Sequence, residues 1–472
     1  MRRQNGLLAA IAAVLAACGS LDPSADAAVL RREVAARTGS DVPEAPGTAA
    51  TEPSDEVLAL LRAPLTDEAA IQIALRHNHR VRAIAERLGI ARADLVQAGR
   101  LRNPVLDADA RFLFDGGTDL ELGLVQPVID LFHRSLRARL GEHEFAAATA
   151  MLTDELVHLV FAVRRAAIDA RAAARLVTLQ RDALQAAIAS HELAVALHAA
   201  GNLTDLGLAT ERAGEGRARL DLAAAELAAT EATEPLQRLL GLWGANTEWQ
   251  LAGELAEDAL AGVDLDHVEQ RAITRSLELA TARARIDAQA QRVGLRSWQQ
   301  WIPDADFGIS AVREPGGEWG LGPRLGVELP LFDDGRAATG QAAHQLRALL
   351  HDHVQLAIEI RSAARTLRER TAQLADRARF LREVQLPARE AIVRGTVQQY
   401  NAMQIGAFDV LRQRQLQLAE TREYVDTLRL AHHARLDLQE LLAGGLPPSA
   451  FTTMSAPRMP AAGSEAAGPG HE

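Results

Sequence analysis

Residues 105–126 read VLDADARFLFDGGTDLELGLVQ, and they decide the fold because polar and apolar side chains alternate along them. The even positions of the first segment are leucine, alanine and phenylalanine, and the alternation resumes after the turn at 115–117. The charged residues share one face: Asp107, Asp109, Arg111, Asp119 and Glu121. A period of two predicts strands, so the stretch predicts a β-hairpin with one apolar and one charged face.

A second copy of this pattern occupies residues 304–329, which read DADFGISAVREPGGEWGLGPRLGVEL. Asp304 and Asp306 again alternate with apolar residues in its first strand, and Glu318, Arg324 and Glu328 do so in the return strand. Pro323 lies within the return strand and cannot donate a hydrogen bond to the strand ladder. We therefore expect a β-bulge at Pro323.

The lengths of these strands favour a membrane over a soluble core. Each strand has about ten residues, which is the length that a tilted strand needs to cross a bilayer. Phe112, Phe114 and Trp319 cluster at the turns, where aromatic girdles lie. A half-buried hairpin of a soluble domain would show the same alternation, and that alternative stays open. In lipid, four strands leave open edges without hydrogen-bond partners, so two, three or four copies must share one barrel.

The rest of the chain predicts long helices. It has 472 residues, of which 48% are apolar and only 4% aromatic, and its formal net charge of −11 argues against a nucleic-acid partner. Apolar residues recur every three or four positions in six segments. These predicted helices are 65–102, 131–200, 203–242, 265–300, 336–399 with a kink at Pro387, and 405–442.

The order of these elements repeats. Residues 65–244 and 265–446 form two helix, hairpin and helix-pair repeats, joined by an equatorial connection at 245–264. The predicted class is therefore mainly α with a transmembrane β-barrel contribution. Each return helix is too short to match its long partner, so we expect it to stack on the single helix of the other half.

The two termini are predicted to lie outside the repeats. Residues 1–17 carry Arg2 and Arg3 before an apolar run, which is typical of a signal peptide. The small residues before Cys18, the only cysteine, resemble a bacterial lipobox and imply lipidation of Cys18; a buried thiol is the alternative. Lipoproteins that stay in the inner membrane typically carry aspartate after the cysteine. By the same resemblance, Gly19 at this position implies the outer membrane as destination. Residues 18–64 predict an irregular, lipidated tether, and residues 447–472 predict a flexible tail.

No motif predicts catalysis or a cofactor. The histidine pairs at 77 and 79, 351 and 353, and 432 and 433 have spacings that diverge on a helix, so no metal site is expected. Nucleophile motifs and phosphate-binding glycine loops are also missing from the sequence. We therefore expect a protein that is not an enzyme.

Several short motifs occur in a specific order along residues 60–446. They are Leu65-Thr66 with Ala74-Leu75 and Asn78; Gln126-Pro127; Leu329-Pro330-Leu331; Leu386-Pro387 before Tyr400; Asp409-Val410-Leu411; and 441–445. Together they resemble the TolC family of outer-membrane efflux and secretion channels. His79 and Met403 depart from the pattern, in which proline and glycine are usual.

The resemblance implies a homotrimer whose twelve-stranded barrel continues into a helical tunnel across the periplasm. The implied partners are outer-membrane lipid, a periplasmic adaptor and an inner-membrane pump, and no cofactor is implied. Drug, metal-ion and protein cargo, the last by type I secretion, remain open. A periplasmic coiled-coil scaffold without a pore is the alternative from another class.

Two sets of residues are then candidates for function. The predicted pore-lining residues are Asp107, Asp109, Arg111, Asp119, Glu121, Asp304, Asp306 and Arg324. Their excess of acids predicts either a merely polar wall or a mild cation preference.

The second set lies at the turns far from the barrel, which alone can reach an inner-membrane assembly. The hypothesised adaptor contacts are Gly201, Asn202, Leu203, Thr204, Gly406 and Ala407. Asp205 and Asp409 would line or tie a closed entrance. The alternative is that these turns bind no other protein, since any exposed turn favours small and polar residues.

Overall fold

The computed structural model describes residues 22–43, 53–112, 114, 118–257, 264–301, 304–313 and 317–451. The predicted signal peptide 1–17 and the lipidation site Cys18 lie outside these residues. Residues 44–52 of the predicted tether, 258–263 of the connection and 452–472 of the tail also lie outside them.

The first half of the chain begins with four helices: α1 (Ser24–Thr38), α2 (Asp55–Leu61), α3 (Asp67–His77) and α4 (His79–Ala98). Strands β1 (Val105–Phe112) and β2 (Thr118–Pro127) form the first hairpin. Two long helices complete this half: α5 (Ile129–Ala199) and α6 (Asp205–Leu240).

The second half repeats this plan after a short 3-10 turn at Gly244–Thr247. Helices α7 (Val268–Arg275) and α8 (Leu277–Gln299) precede strands β3 (Ala305–Arg313) and β4 (Trp319–Val327). The last helices are α9 (Arg336–Phe380), α10 (Leu386–Asn401), α11 (Ala407–Ala443) and the short α12 (Pro448–Phe451).

Each leading helix is broken once, where the sequence predicted continuous helices over 65–102 and 265–300. Asn78 Oδ1 accepts a hydrogen bond from the Arg80 N–H at 2.8 Å, and Ser276 Oγ accepts one from the Leu279 N–H at 3.1 Å. Such short polar side chains satisfy the first free N–H groups of a new helix. Asn78 therefore separates α3 from α4, and Ser276 separates α7 from α8.

In each half, one long column lies against two stacked helices. Helix α5 has 71 residues, about 105 Å at 1.5 Å per residue, and packs against both α4 and α6. The column of α9 and α10 packs against α8 and α11. Each return helix thus stacks on the leading helix of its own half, and the predicted stacking on the other half is wrong. Helix α5 joins the halves because it also packs against α8 and α11.

The two stacked pairs meet at joints held by backbone groups. At the first joint, Asn78 Nδ2 donates a hydrogen bond to the Leu239 carbonyl at 2.8 Å. At the second, the Leu277 N–H donates to the Gly444 carbonyl at 2.9 Å. These bonds give partners to helix-end groups that no intrahelical bond reaches.

The main core lies beside the first joint and includes part of the predicted tether. Leu30 and Val34 of α1 and Val57 of α2 are buried in one cluster with Ile71 and Leu156. The irregular structure expected for 18–64 is therefore wrong for α1 and α2. Alanine and arginine favour a helix over 24–38, and burial of its apolar side chains then holds it on the protein.

The start of the predicted flexible tail is also packed. Leu446 and Ala450 are buried against the core of the second half, which includes Val268, Ile360 and Leu438. Burial of these two side chains attaches residues up to α12 to the helices, so flexibility is the wrong description for this part of 447–472.

The four strands form one antiparallel sheet in the order β1-β2-β3-β4. The predicted bulge at Pro323 is wrong, because β3 and β4 pair in an unbroken register in which Pro323 faces Ile309. The Glu328 N–H donates to the Asp304 carbonyl, and hydrogen-bonded pairs alternate from there. Pro323 therefore falls in a pair without hydrogen bonds, and its nitrogen faces the open edge of the sheet.

The kink predicted at Pro387 takes the form of one wide turn. Residues Leu381–Gln385 form a π-helical turn, and the Leu386 N–H donates to the Leu381 carbonyl five residues earlier. Pro387 follows this wide turn, so the change in the helical hydrogen-bond pattern occurs where proline removes a donor.

Substitution of Gly444 should break the second joint. Gly444 has φ +108°, and a Cβ there would overlap the Arg275 carbonyl oxygen and the Arg37 guanidinium group. Gly444→Ala is therefore expected to lower the free energy of unfolding by about 2 kcal/mol or more. Circular dichroism at 222 nm during heating of the detergent-purified protein measures this loss.

Gly214 is the matched control, because it lies within α6 with open space around its would-be Cβ. Gly214→Ala should leave the melting temperature unchanged or raise it slightly, since alanine favours a helix. A Gly444→Ala variant that melts with the unaltered protein would show that the joint tolerates a side chain.

Candidate channel wall and helix tips

The strand register places all the predicted pore-lining residues of β1 to β4 on one face of the sheet. Directly paired residues share a face, and Asp109 pairs with Glu121 while Arg111 pairs with Asp119. The same face continues across β3 and β4 through the pairs of positions 306 with 326 and 308 with 324. The members on this charged face are Asp107, Asp109, Arg111, Asp119, Glu121, Asp306 and Arg324, and Asp304 continues it just before β3.

The opposite face is apolar and exposed. Phe112 is 81% exposed and Leu321 78% exposed, and Leu106 and Leu325 are similarly uncovered. A contiguous apolar face of this kind needs an apolar environment, because water would oppose it. The two faces of the sheet thus suit different environments, one favourable to charge and one favourable to hydrocarbon.

Aromatic side chains bracket the sheet at both ends. Phe112, Phe114 and Trp319 lie at the hairpin turns, as the sequence predicted, and are exposed. At the helical end, four further exposed aromatic side chains flank the strands: Phe132, Trp298, Trp301 and Phe332. Sequence reasoning missed this second group, although each member lies a few residues from a strand end. Two aromatic levels around an apolar band are typical of membrane barrels.

The acids of the charged face differ in their partners. Asp107 lies 3.9 Å from Arg324, Asp109 lies 3.6 Å from Arg111, and Asp304 lies 3.6 Å from Arg102. Among the described residues, Asp119, Glu121 and Asp306 form no ion pair within 4 Å. The acidic excess of the face therefore concentrates on these three carboxylates.

A buried ion-pair cluster attaches the sheet to the helices. The Asp130 carboxylate, 2% exposed, accepts hydrogen bonds from the N–H and Nε of Arg102 and from Arg137. Burial alone would raise the pKa of Asp130, but these hydrogen bonds outweigh it and lower the pKa. Arg102 lies 28 positions before Asp130 and Arg137 lies 7 positions after it, so no local sequence pattern identifies the cluster.

The first predicted tip is a tight left-handed turn between α5 and α6. Gly201 has φ +75°, and the Asn202 N–H donates to the Leu197 carbonyl at 2.8 Å. Thr204 Oγ1 caps α6 by accepting from the Gly207 N–H at 3.2 Å. The Asp205 carboxylate, 98% exposed, lies 2.7 Å from His198 Nε2. The turn thus presents small and polar groups at the end of an approximately 105 Å helix.

The second tip is the same turn in spite of its unusual residue. Met403 has φ +55°, and the Gln404 N–H donates to the Gln399 carbonyl at 3.0 Å, as Asn202 does to Leu197. Methionine therefore adopts here the left-handed conformation that glycine adopts in the first tip. Asp409, predicted at the entrance, accepts a hydrogen bond from the Gly406 N–H at 3.2 Å and caps α11.

The equatorial connection crosses the middle of the long helices. Its Ala252 carbonyl accepts from Arg171 Nε of α5 at 3.1 Å, and its Ala256 carbonyl lies 2.6 Å from His432 Nε2 of α11. Burial lowers the pKa of His432. His432 is therefore a structural contact of the connection, and its neighbour His433 instead lies 2.7 Å from Asp169.

Comparisons with known proteins find a relative by sequence and several solved structures of similar fold. No protein-family model matches the chain. It is 26% identical over 396 residues to the cobalt-zinc-cadmium resistance protein CzcC of Cupriavidus metallidurans, covering 80% of this chain and 90% of that protein.

Solved structures of outer-membrane channels superpose on most of the chain. The outer-membrane channel OprN matches with a TM-score of 0.67 at 18% identity, covering 86% of this chain and 99% of that chain. The outer-membrane protein VceC of Vibrio cholerae matches with a TM-score of 0.65 at 16% identity, covering 81% and 97%. The chain therefore has the fold of these outer-membrane channels, and the fold that the resemblance to the TolC family implied is confirmed.

Proposed function

We propose that the chain is the outer-membrane exit duct of a tripartite efflux system. Its substrates would arrive from an inner-membrane pump through a periplasmic adaptor and leave through a barrel in the outer membrane. The observation that carries this proposal is a sheet with one exposed apolar face and one charged face, attached to a 71-residue helix. Such a sheet suits a wall between lipid and water, and such a helix can extend across the periplasm.

Three copies of the chain would complete the wall. The outer edges of β1 and β4 are open in one copy, and an open edge in lipid leaves backbone groups without partners. Joining β4 of one copy to β1 of the next removes every edge. The trimer proposed from the TolC resemblance therefore has twelve strands.

The apolar face disfavours the scaffold alternative. A soluble coiled coil would bury or lack such a face, whereas Phe112, Leu321 and Leu325 are exposed here. The solved structures that match are channels, which likewise supports transport over catalysis.

Of the three cargo classes left open, which are drugs, metal ions and proteins, we propose divalent metal cations. The relative CzcC is named for resistance to cobalt, zinc and cadmium. The carboxylates of the charged face would attract cations and repel anions. Growth of a strain lacking the gene, with and without added zinc, tests this choice.

The lipid anchor at Cys18 is proposed to add membrane affinity without building the barrel. One lipidated residue gives limited affinity, whereas a closed barrel supplies stable insertion. Cys18→Ala behind a signal peptide of a non-lipidated protein should still give trimers in the outer membrane. Extraction with and without detergent, followed by electrophoresis of unheated samples, measures this outcome. A Cys18→Ala chain that is fully soluble would support the scaffold alternative instead.

The charged face should make the channel prefer cations. Because Asp119 and Glu121 have no ion pair within 4 Å among the described residues, their charges act on passing ions most directly. Asp119→Asn with Glu121→Gln should reduce the cation preference, measured as the reversal potential of single channels in a salt gradient. Asp107→Asn is the comparison, since Arg324 already offsets its charge. Anion preference in the unaltered channel would contradict this prediction.

The tips are proposed to bind the adaptor through Gly201, Asn202, Leu203, Thr204, Gly406 and Ala407. Gly201→Leu with Gly406→Leu should abolish efflux while trimers and membrane insertion persist, because bulky side chains prevent close approach of helix tips. Gly201→Asn is the matched control, since asparagine tolerates the left-handed conformation. Unchanged efflux in the leucine variant would place docking elsewhere.

Asp205 and Asp409 are proposed to line the closed entrance, where like charges from several copies would resist full closure. Asp205→Ala should change single-channel conductance. Asp409→Asn should also change the conductance. Asparagine is chosen over alanine because it can still cap α11 at Gly406 while the charge is removed. Equal conductance in both variants and the unaltered channel would remove these residues from the entrance.

A further inference from the structure

A compact group of metal-binding side chain types lies at the second joint, outside the channel wall and the tips. Asp154 and His158 lie one turn apart on α5, and Glu278 lies in the first turn of α8. One ligand atom from each of these residues falls within 4.8 Å of the others. The sequence offered no sign of this group, because its members come from segments more than a hundred positions apart.

The imidazole of His158 is already oriented for coordination. Its Nδ1 lies 2.5 Å from Oε1 of Glu440, whose side chain is wholly buried and also contacts Arg165. A carboxylate on one ring nitrogen is the usual outer partner of a metal-binding histidine, since it fixes the ring and leaves the other nitrogen available. That other nitrogen, Nε2, lies 3.3 Å from Oδ2 of Asp154.

The two carboxylates retain coordinating capacity. Oδ1 of Asp154 is buried and has no hydrogen-bond partner among the described residues. Glu278 accepts hydrogen bonds from Ser276 Oγ at 3.0 Å and from the Leu446 N–H at 2.7 Å, one on each oxygen. Each carboxylate oxygen has a second lone pair, so these bonds position Glu278 without occupying it fully.

The local charge also favours a cation. Two carboxylates, Asp154 and Glu278, lie beside His158, and neither forms an ion pair with an arginine within 4 Å among the described residues. Glu440 and Asp437 add two more carboxylates, and Arg165 contacts both.

We propose that Asp154, His158 and Glu278 bind one divalent transition-metal cation, of which Zn²⁺ is the best probe. Imidazole nitrogen and carboxylate oxygen are both ligands of Zn²⁺, and water would complete the coordination. Ligand atoms around Zn²⁺ lie roughly 3.3 Å apart, and His158 Nε2 and Asp154 Oδ2 already have this spacing. The His158 side chain is 32% exposed, which gives the ion a path from solvent.

A bound cation would tie the second joint together. Asp154 and His158 belong to α5, Glu278 begins α8, and Leu446, which follows α11, donates to Glu278. The ion would thus link the long column to both members of the stacked pair. This inference rests on the joint geometry and holds whatever cargo passes through the channel.

The competing arrangement is a protonated His158 that bridges Asp154 and Glu440 without metal. Burial alone would lower the pKa of His158, but hydrogen bonds to these two carboxylates outweigh it and raise the pKa to about 10. The two arrangements differ in whether the intact protein takes up a stoichiometric metal ion.

The test uses the full-length protein, purified in detergent without a histidine tag and stripped of metal with a chelator. Calorimetric titration with Zn²⁺ should show one saturable site per chain. X-ray absorption at the zinc edge should then show one imidazole nitrogen and carboxylate oxygens as ligands. No stoichiometric uptake, or a ligand set with several imidazoles, would overturn the proposal.

Variants locate the site. Glu278→Gln keeps the side chain shape and should weaken Zn²⁺ binding at least tenfold. The control is His351→Gln with His353→Gln, which removes another histidine pair and should leave binding unchanged. Equal binding in Glu278→Gln and the unaltered protein would overturn the proposal, and the absorption spectrum of the unaltered protein decides it if Glu278→Gln fails to fold.

Discussion

The central constraint on this fold is that backbone N–H and C=O groups at the edges of a sheet need hydrogen-bond partners, and lipid offers none. One chain supplies four antiparallel strands and leaves the outer edges of β1 and β4 open. In the proposed barrel, lipid makes each open edge costly, so the edges would meet those of other copies. The nitrogen of Pro323 faces the outer edge of β4 and carries no hydrogen. The proposed contact between copies therefore lacks one hydrogen-bond donor at this position.

The helices hold this sheet in position. Asp130, Arg102 and Arg137 form a buried cluster where the sheet meets the helices, and the two joints keep the stacked helices in line beside the long columns. Both joints rest on backbone groups at helix ends, supported by a polar side chain at Asn78 or by Arg37. Continuous packed helices thus connect the sheet to the tips, and in the proposed channel they would let an event at the tips reach the wall.

Much of the fold could be predicted from local patterns. Alternation identified all four strands, and the spacing of apolar residues identified the long helices, because both signals are repeated over many residues. The single polar residues that break a helix carried too weak a signal, so the breaks at Asn78 and Ser276 were missed. Helix α1 was missed because its packing partners, which include Leu156 of α5, lie far along the chain. The cluster of Asp154, His158 and Glu278 was missed for the same reason, whereas the charged face followed directly from the period of two.

The central claim is that three chains close one barrel, and native mass spectrometry of the detergent-extracted complex tests it most directly. The account predicts a complex of three times the mass of the mature chain, which dissociates only together with loss of the strand signal. A single chain that stays inserted in the membrane with its strands intact would contradict the account.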